Sequence, residues 1–261
     1  MSGLNIAKIV FGAAAMFFLL APLVAILPLS FTDSVFLNYP IQAYSMRWFR
    51  ELVTADVWRR AIVNSLIIGS GTTVLATVLG TLGALGLRNH AAFWSLAFIR
   101  TAFLLPMVVP AVVLGVGMQL MFARYNLTNS YLGVIIAHTV LAVPFVVINV
   151  LSVLQSIDPR LERAAASLGA GPATVLARVT LPLALPGIIS GAVFAFATSL
   201  DEVVLTLFVA GPNQRTLARQ MFSSIRENIS PAIAAAAFVF IVGTLLAALA
   251  LILTRKSLAR R

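Results

Sequence analysis

Two carboxylates stand side by side inside an apolar stretch, in SGAVFAFATSLDEVVLTLFVAGP at residues 190–212. A carboxylate deep in a bilayer costs roughly 2.5–3.5 kcal/mol or more, so Asp201 and Glu202 must face protein or a water-filled path. Thr198, Asp201, Glu202 and Thr206 are spaced by three and four, which predicts one polar stripe on a helix. Such a stripe would attract a cation moving along it, and two acids suit an amine-bearing solute. The competing reading is an interhelical salt bridge or hydrogen-bond lock. Other chemistry finds little support. With no cysteine, disulfides and thiolate metal sites are excluded. His90 and His138 are far apart, so no metal site is expected, and His138 reads as a hydrogen bonder between helices. Lys8 and Lys256 are the lysines, and neither ends a G-x-x-x-x-G-K-[ST] run, so the chain has no phosphate loop of its own. No nucleophile–base arrangement stands out. An enzyme is not expected, and no cofactor is assigned to this chain.

The elements that carry these residues follow from composition. Hydrophobic residues make up 61% and charged residues 10% of the chain, and the mean hydropathy is +1.02. Too little polar sequence is present to coat a soluble core of this size, so the chain reads as an all-α membrane protein. A net charge of +10 suits anionic headgroups better than nucleic acid, because the arginines are scattered among short loops. A bilayer core of roughly 30 Å needs about 20 apolar residues of helix. Apolar windows lie between Lys8 and Asp33, Arg60 and Arg88, and Arg100 and Arg124, within Tyr131–Ser156, around Leu185–Ala210, and between Glu227 and Arg255. Six spans are expected. The first window is too long for a signal-peptide core and shows no clear small-x-small site, so it is read as an uncleaved helix. Lys8 and the tail Arg255, Lys256, Arg260 and Arg261 place both termini in the cytoplasm. That orientation puts 31–60, 123–130 and 211–230 outside, and 88–97 and 156–185 inside.

Two further segments have patterns of their own. Residues 44–60 carry Met46, Phe49, Leu52 and Val53 between charges, which predicts an amphipathic helix at the outer interface, with Tyr44, Trp48 and Trp58 in an aromatic belt. In 211–230, Arg215, Arg219 and Arg226 are candidate contacts for an external protein, with a solvated charged loop as the competing reading for each. The segment LERAAASLGAGPATVLARVTLPLALPG at 161–187 is too polar to span. Asp158-Pro159 reads as an N-cap with proline at the first helical position. Leu161, Ala164, Ala165 and Leu168 form one apolar face, Gly169 is a left-handed stop, and Gly171-Pro172 starts a second helix. Pro182 and Pro186 are expected to end or kink it. A helix this short is marginal without a packing partner, so the insert reads as a knob for another protein's groove. The alternative is a loop folded back on the chain itself.

This insert resembles the cytoplasmic signature of permease subunits of binding-protein-dependent ABC importers, which runs Glu-Ala-Ala, three residues, Gly, then about nine residues to Ile/Val-x-Leu-Pro. The chain has Arg163-Ala164-Ala165, three residues, Gly169, and later Val179-Thr180-Leu181-Pro182. Arg163 stands where the signature glutamate falls, with Glu162 one position earlier. RWFREL at 47–52, LLPMVVPAVVLGVGM at 104–118, AHTVLAVPFVV at 137–147 and SLDEVVLTLFVAGP at 199–212 resemble the spermidine/putrescine, PotC-like branch. The resemblance implies a type I importer permease fold. Residues 1–60 would supply a first helix and a periplasmic amphipathic segment, 61–254 the transmembrane domain, and 255–261 a basic cytoplasmic tail. It also implies a coupling helix at about 161–180, with Glu162, Arg163, Ala164, Ala165, Leu168, Gly169, Pro172, Leu181 and Pro182 facing an ATPase. Trp48, Ser199, Asp201 and Glu202 are implied in the substrate pathway. An acid can follow the proline matching Pro110 in that branch, where this chain has Ala111, which leaves room for an amino acid, opine or other small solute. The implied partners are a second homologous permease, two ATP-binding subunits that use ATP and Mg2+, and a periplasmic or extracellular solute-binding protein. The implied location is the bacterial inner membrane. An ATP-independent carrier would explain the acids but leave 161–187 without a task, and a membrane scaffold would show no substrate dependence.

Overall fold

The computed structural model describes residues 3–88, 94–227 and 229–258. Among these the chain is helical, with no strand beyond the isolated bridge between Thr32 and Tyr44. It divides into two units, residues 1–59 with 221–243, and residues 60–220 with 244–261.

In the first unit, α1 (Gly3–Ile26) is apolar all round, and its side chains stay exposed, Phe11 at 77% and Phe18 at 78%. A helix of this kind belongs in lipid or against another protein. Pro28 tightens the chain into a 3-10 turn, Leu27–Phe31. The loop beyond is closed by the Asp33 N–H on the Ala43 carbonyl (3.0 Å) and the Ser45 N–H on the Phe31 carbonyl (2.7 Å). Next, α2 (Arg47–Thr54) buries Trp48 and Leu52, one turn apart, and leaves its arginines outside. The rings of Phe31, Phe49 and Phe238 meet at 5.0, 5.4 and 5.5 Å. The single amphipathic helix expected over 44–60 is shorter: Ala55 turns extended and α3 (Asp56–Arg88) starts one residue later. The expected aromatic belt is also corrected. Tyr44 is exposed, but Trp48 and Trp58 are buried at 5% and 6%. Trp48 spends its indole N–H on the Thr32 carbonyl at 2.8 Å, because a buried N–H needs an acceptor.

The second unit is built around α6 (Tyr131–Ser156) and α9 (Leu181–Asp201), which pack along their length. Glycine makes the approach possible. A Cβ at Gly191 would sit 2.9 Å from Val146 Cα, and one at Gly80 of α3 would sit 2.6 Å from Val146 Cβ. Val146 is thus clasped between two helices at backbone distance. Two apolar clusters follow along α6. One joins Phe122, Val134, Ala137, Leu205 and Val209 near its start, and the other joins Val146, Val150, Leu154, Ala184 and Ala195 toward its end.

Four helices among the described residues are long and apolar enough to cross a bilayer: Ala7–Phe31, Asp56–Arg88, Tyr131–Ser156 and Pro172–Asp201. The window expected as a third straight span is broken. α4 (Trp94–Leu104) runs into a 3-10 turn, Leu105–Met107, and α5 (Ala111–Arg124) departs at 101°. Pro106 and Pro110 remove the N–H groups that would carry the helix through. Counting that bent pair as one span gives five. The last helix, α12 (Pro231–Leu258), has described side chains only to Leu246.

Candidate functional site

At the acidic pair, the expected continuous stripe is overturned, because α9 stops at Asp201. Glu202 is extended (ψ 113°), and α10 (Val204–Val209) restarts two residues on. The break is satisfied by its own side chains. Glu202 Oε1 accepts the Leu205 N–H at 2.8 Å, and the Thr206 hydroxyl donates to the Glu202 carbonyl at 3.1 Å. A carboxylate that caps the next helix competes with continuation of the first one. Asp201 is exposed, while Thr198 and Glu202 are half-buried.

His138, 1% exposed, bridges this break. Nδ1 lies 2.8 Å from Ser199 Oγ and Nε2 lies 2.9 Å from Thr206 Oγ1. A neutral imidazole donates through one nitrogen and accepts at the other, so both hydroxyls can be satisfied at once. The interhelical role expected for His138 is observed. Ser199, expected on the pathway, is 2% exposed and faces this histidine. Trp48 lies in the other unit, buried, with its polar atom already used.

The segment expected as an outer loop is also more ordered than its composition suggests. After a 3-10 turn, Pro212–Gln214, residues Leu217–Glu227 form α11. Asn64 Nδ2 donates to the carbonyls of Asn213 (2.8 Å) and Arg215 (2.9 Å), and the Tyr131 hydroxyl donates to Asn64 Oδ1 (2.7 Å). Arg219 Nη1 donates to the carbonyls of Thr206 (3.0 Å) and Ala210 (2.8 Å), closing the end of α10. Arg219 is therefore an internal brace rather than a free external contact, and Arg215 is half-buried. Arg226 is exposed, 5.8 Å above the Phe222 ring.

The second place is the insert. Asp158 Oδ1 accepts the Arg160 N–H at 2.8 Å and caps α7 (Pro159–Ser167). Gly169, at φ +88°, ends it: its N–H reaches the Ala166 carbonyl (3.0 Å) and the Ala170 N–H reaches that of Ala165 (3.1 Å). These two bonds make a Schellman stop, which glycine enters without strain. Pro172 then opens α8 (Pro172–Val175). Of the two outcomes expected at Pro182 and Pro186, an end or a kink of the second helix, the structure excludes the end. The helix passes through a π-turn, Leu176–Thr180, directly into α9. Pro182 cannot donate and its ring crowds the carbonyl of Arg178, and a widened turn relieves both. Leu161 is 49% and Leu168 89% exposed; Arg163 and Ala164 are exposed, and Pro182 too. Ala165 and Leu181 are half-buried.

Glu162 faces the other way. Its Oε1 takes the Thr180 hydroxyl at 2.6 Å and forms an ion pair with Arg88 Nη1 at 2.5 Å. The Thr180 hydrogen bond, helped by Arg88, holds this carboxyl below its ordinary value of 4.5 against the opposing effect of burial. An open cavity of about 560 Å³ lies beside this clasp, lined by Leu85, Arg88, Glu162, Arg163, Val175 and Thr180 among others.

The family model described as binding-protein-dependent transport system inner membrane component matches residues 76–259. The chain belongs to this family. Among curated relatives of this permease, the putrescine transport system permease protein PotI of Escherichia coli K12 is 34% identical over 229 residues, covering 84% of this chain and 80% of the relative. The spermidine/putrescine transport system permease protein PotC of Haemophilus influenzae is 31% identical over 217 residues, covering 83% and 84%. Among solved structures, a bacterial alginate ABC transporter in complex with alginate pentasaccharide-bound periplasmic protein matches with a TM-score of 0.71. That match has 19% identity and covers 95% of this chain and 92% of the other, so it speaks for the fold. The permease is a multi-pass inner-membrane protein of a binding-protein-dependent system, a family whose membrane subunits are not catalytic.

Two partners of Glu162 in this permease were not singled out from sequence, Arg88 and Thr180. Arg88 is the first charge after the apolar run that follows Arg60, and Thr180 sits inside Val179-Thr180-Leu181-Pro182. Those positions were visible, but their meeting across 74 and 18 residues of chain was not.

Proposed function

We propose that this permease forms half of the translocation pathway of an ATP-driven importer for a small amine-bearing solute of the putrescine or spermidine kind. Six spans with both termini in the cytoplasm are the arrangement in this reading. Four long apolar helices, the bent pair α4–α5 and α12 support it. A second homologous permease would complete the pathway, two ATP-binding subunits would use ATP and Mg2+, and a solute-binding protein would deliver cargo from outside. The α7–turn–α8 knob is the coupling element, seated in a groove of an ATPase. The observation that carries this reading is Leu168, 89% exposed on a helix fixed at both ends by an Asp158 cap and a glycine stop. An apolar tip on a rigid polar scaffold is what a protein partner would fill.

Asp201 is the residue assigned to meet the solute, since its carboxylate is exposed while Glu202 is engaged by backbone. Ser199 and Trp48 support the pathway from buried positions. The test is uptake of labelled putrescine by the reconstituted complex. Asp201→Asn should depress uptake while leaving complex assembly and basal ATP hydrolysis intact, and normal uptake by that variant would remove the pathway assignment.

A further inference from the structure

The acids and bases of the knob are not presented equally. Asp158 is occupied as the N-cap, and Glu162 is turned inward on Arg88 and Thr180, where its lowered pKa keeps it ionised and paired. Arg160 and Arg163 are exposed, and among the described residues neither takes part in an ion pair. Their spacing of three places them on one flank of α7, beside the apolar face of Leu161, Ala164, Ala165 and Leu168. Glu162 points across the helix from Arg160, while Arg163, although exposed, borders the same cavity as Glu162. Two like charges one turn apart repel, and Arg160 lies in the first turn, where the helix dipole disfavours a cation. Asp158 and Glu162 answer the dipole at that end, but among the described residues neither forms an ion pair with Arg160 or Arg163.

We infer that the ATP-hydrolysing partner receives this knob in an apolar socket with a carboxylate rim, the socket holding Leu168 and the rim pairing with Arg160 and Arg163. The inference rests on the coupling role proposed above and adds the chemistry of the partner surface. Glu162, the acid next to the signature position, serves this chain's own clasp, and Arg163 stands at that position, so the charge offered outward is cationic and the complementary charge belongs to the partner. Burying Leu168 against such a socket would bring both guanidiniums within reach of carboxylates in a partly desolvated rim, where pairing sets partner choice and association rate.

The sequence supplies a clean test, because Lys8 and Lys256 are its lysines and neither lies near residue 160. The permease complex is purified with the ATP-binding subunit it retains, in wild-type, Arg160→Lys/Arg163→Lys and Arg160→Glu/Arg163→Glu forms. A zero-length carbodiimide couples an amine only to a carboxylate it touches. The lysine variant should give a new permease–ATPase crosslink from position 160 or 163, mapped by mass spectrometry to an Asp or Glu of the ATPase. The glutamate variant should retain the ATPase at least about tenfold less well at low salt, and the wild type should lose it steeply as salt shortens the screening length from about 10 Å at 0.1 M. If the wild type retains the ATPase, the inference is overturned by an absent lysine-specific crosslink, by one found only on another permease, or by equal retention of the glutamate variant. A wild type that retains no ATPase in any condition would sink the coupling role itself, and this inference with it. Guanidiniums that serve lipid headgroups instead would give no lysine-specific crosslink to the ATPase and leave its retention unchanged, which overturns the inference.

Discussion

Removing the carboxylate of Glu162 tests whether the knob is held as a rigid body. The Arg88 and Glu162 side chains are 10% and 25% exposed, between a surface pair and a buried one. Glu162→Gln keeps an acceptor for Thr180 and for Arg88 but loses the charge assistance, a cost of about 1 kcal/mol. Glu162→Ala loses both hydrogen bonds and leaves the Arg88 guanidinium nearly buried without a counter-charge, a cost of about 3 kcal/mol. Because one tenth to a quarter of each side chain meets solvent, that value stands at the low end of the range for buried pairs. Amide hydrogen exchange in α7 reads the opening directly. The alanine variant should exchange roughly 100-fold faster and the glutamine variant roughly fivefold faster, since about 1.4 kcal/mol is tenfold. The pH dependence has a fixed sign. A carboxyl held below 4.5 contributes stability that is fully present above that value and is lost as pH falls through its folded value. Corrected exchange in wild-type α7 should therefore be flat from neutral pH down to the ordinary glutamate range and rise only below it, and this acid phase should vanish in Glu162→Ala. Unchanged exchange in the alanine variant, or additive effects of Glu162→Ala and Arg88→Met, would refute the clasp.

Other consequences can be measured on the purified permease. Gly191→Val places methyls against the Val146 backbone, where even a Cβ would sit at 2.9 Å, and overpacking of this kind costs about 1–3 kcal/mol; a lowered melting temperature in detergent checks it. His138→Ala leaves the buried hydroxyls of Ser199 and Thr206 without their imidazole partner, for a cost of about 2–3 kcal/mol that a thermal melt or urea titration should report.

What was legible in the sequence was local. Asp158-Pro159 and Gly169 announce the start and stop of α7 because capping and positive φ are decided within a few residues. The breaks were not legible, since an apolar window reports transfer from water and says nothing about direction. Residues 100–124 read as one span, yet Pro106 and Pro110 with their neighbours turn the chain by 101°. Residues 44–60 show the same limit. Their charges gave the amphipathic character of α2 correctly, but Trp48 was assigned to an interface when a carbonyl sixteen residues earlier was waiting for its N–H. Long-range partners of that kind, like Arg88 for Glu162, depend on which helices become neighbours, and one sequence does not encode that in its spacing.

The two broken segments bear on one another. α5 and α10 follow the breaks and pack together, with Gly115 so close to Phe208 that a side chain there would collide with the ring. Backbone freed by a break in an apolar setting needs partners from the protein itself. At 202–203 those partners are found. Glu202 serves the Leu205 amide, Thr206 serves the Glu202 carbonyl, Arg219 closes α10, and His138 ties both sides together. Each polar group in that list is engaged, and Asp201 is outside it. A neighbouring pair of acids is thus divided by geometry, one carboxylate spent on folding the break and the other left exposed, the one proposed above to meet a cation. Neutralising Glu202 should therefore register first in the stability of α10, whereas neutralising Asp201 should register first in uptake.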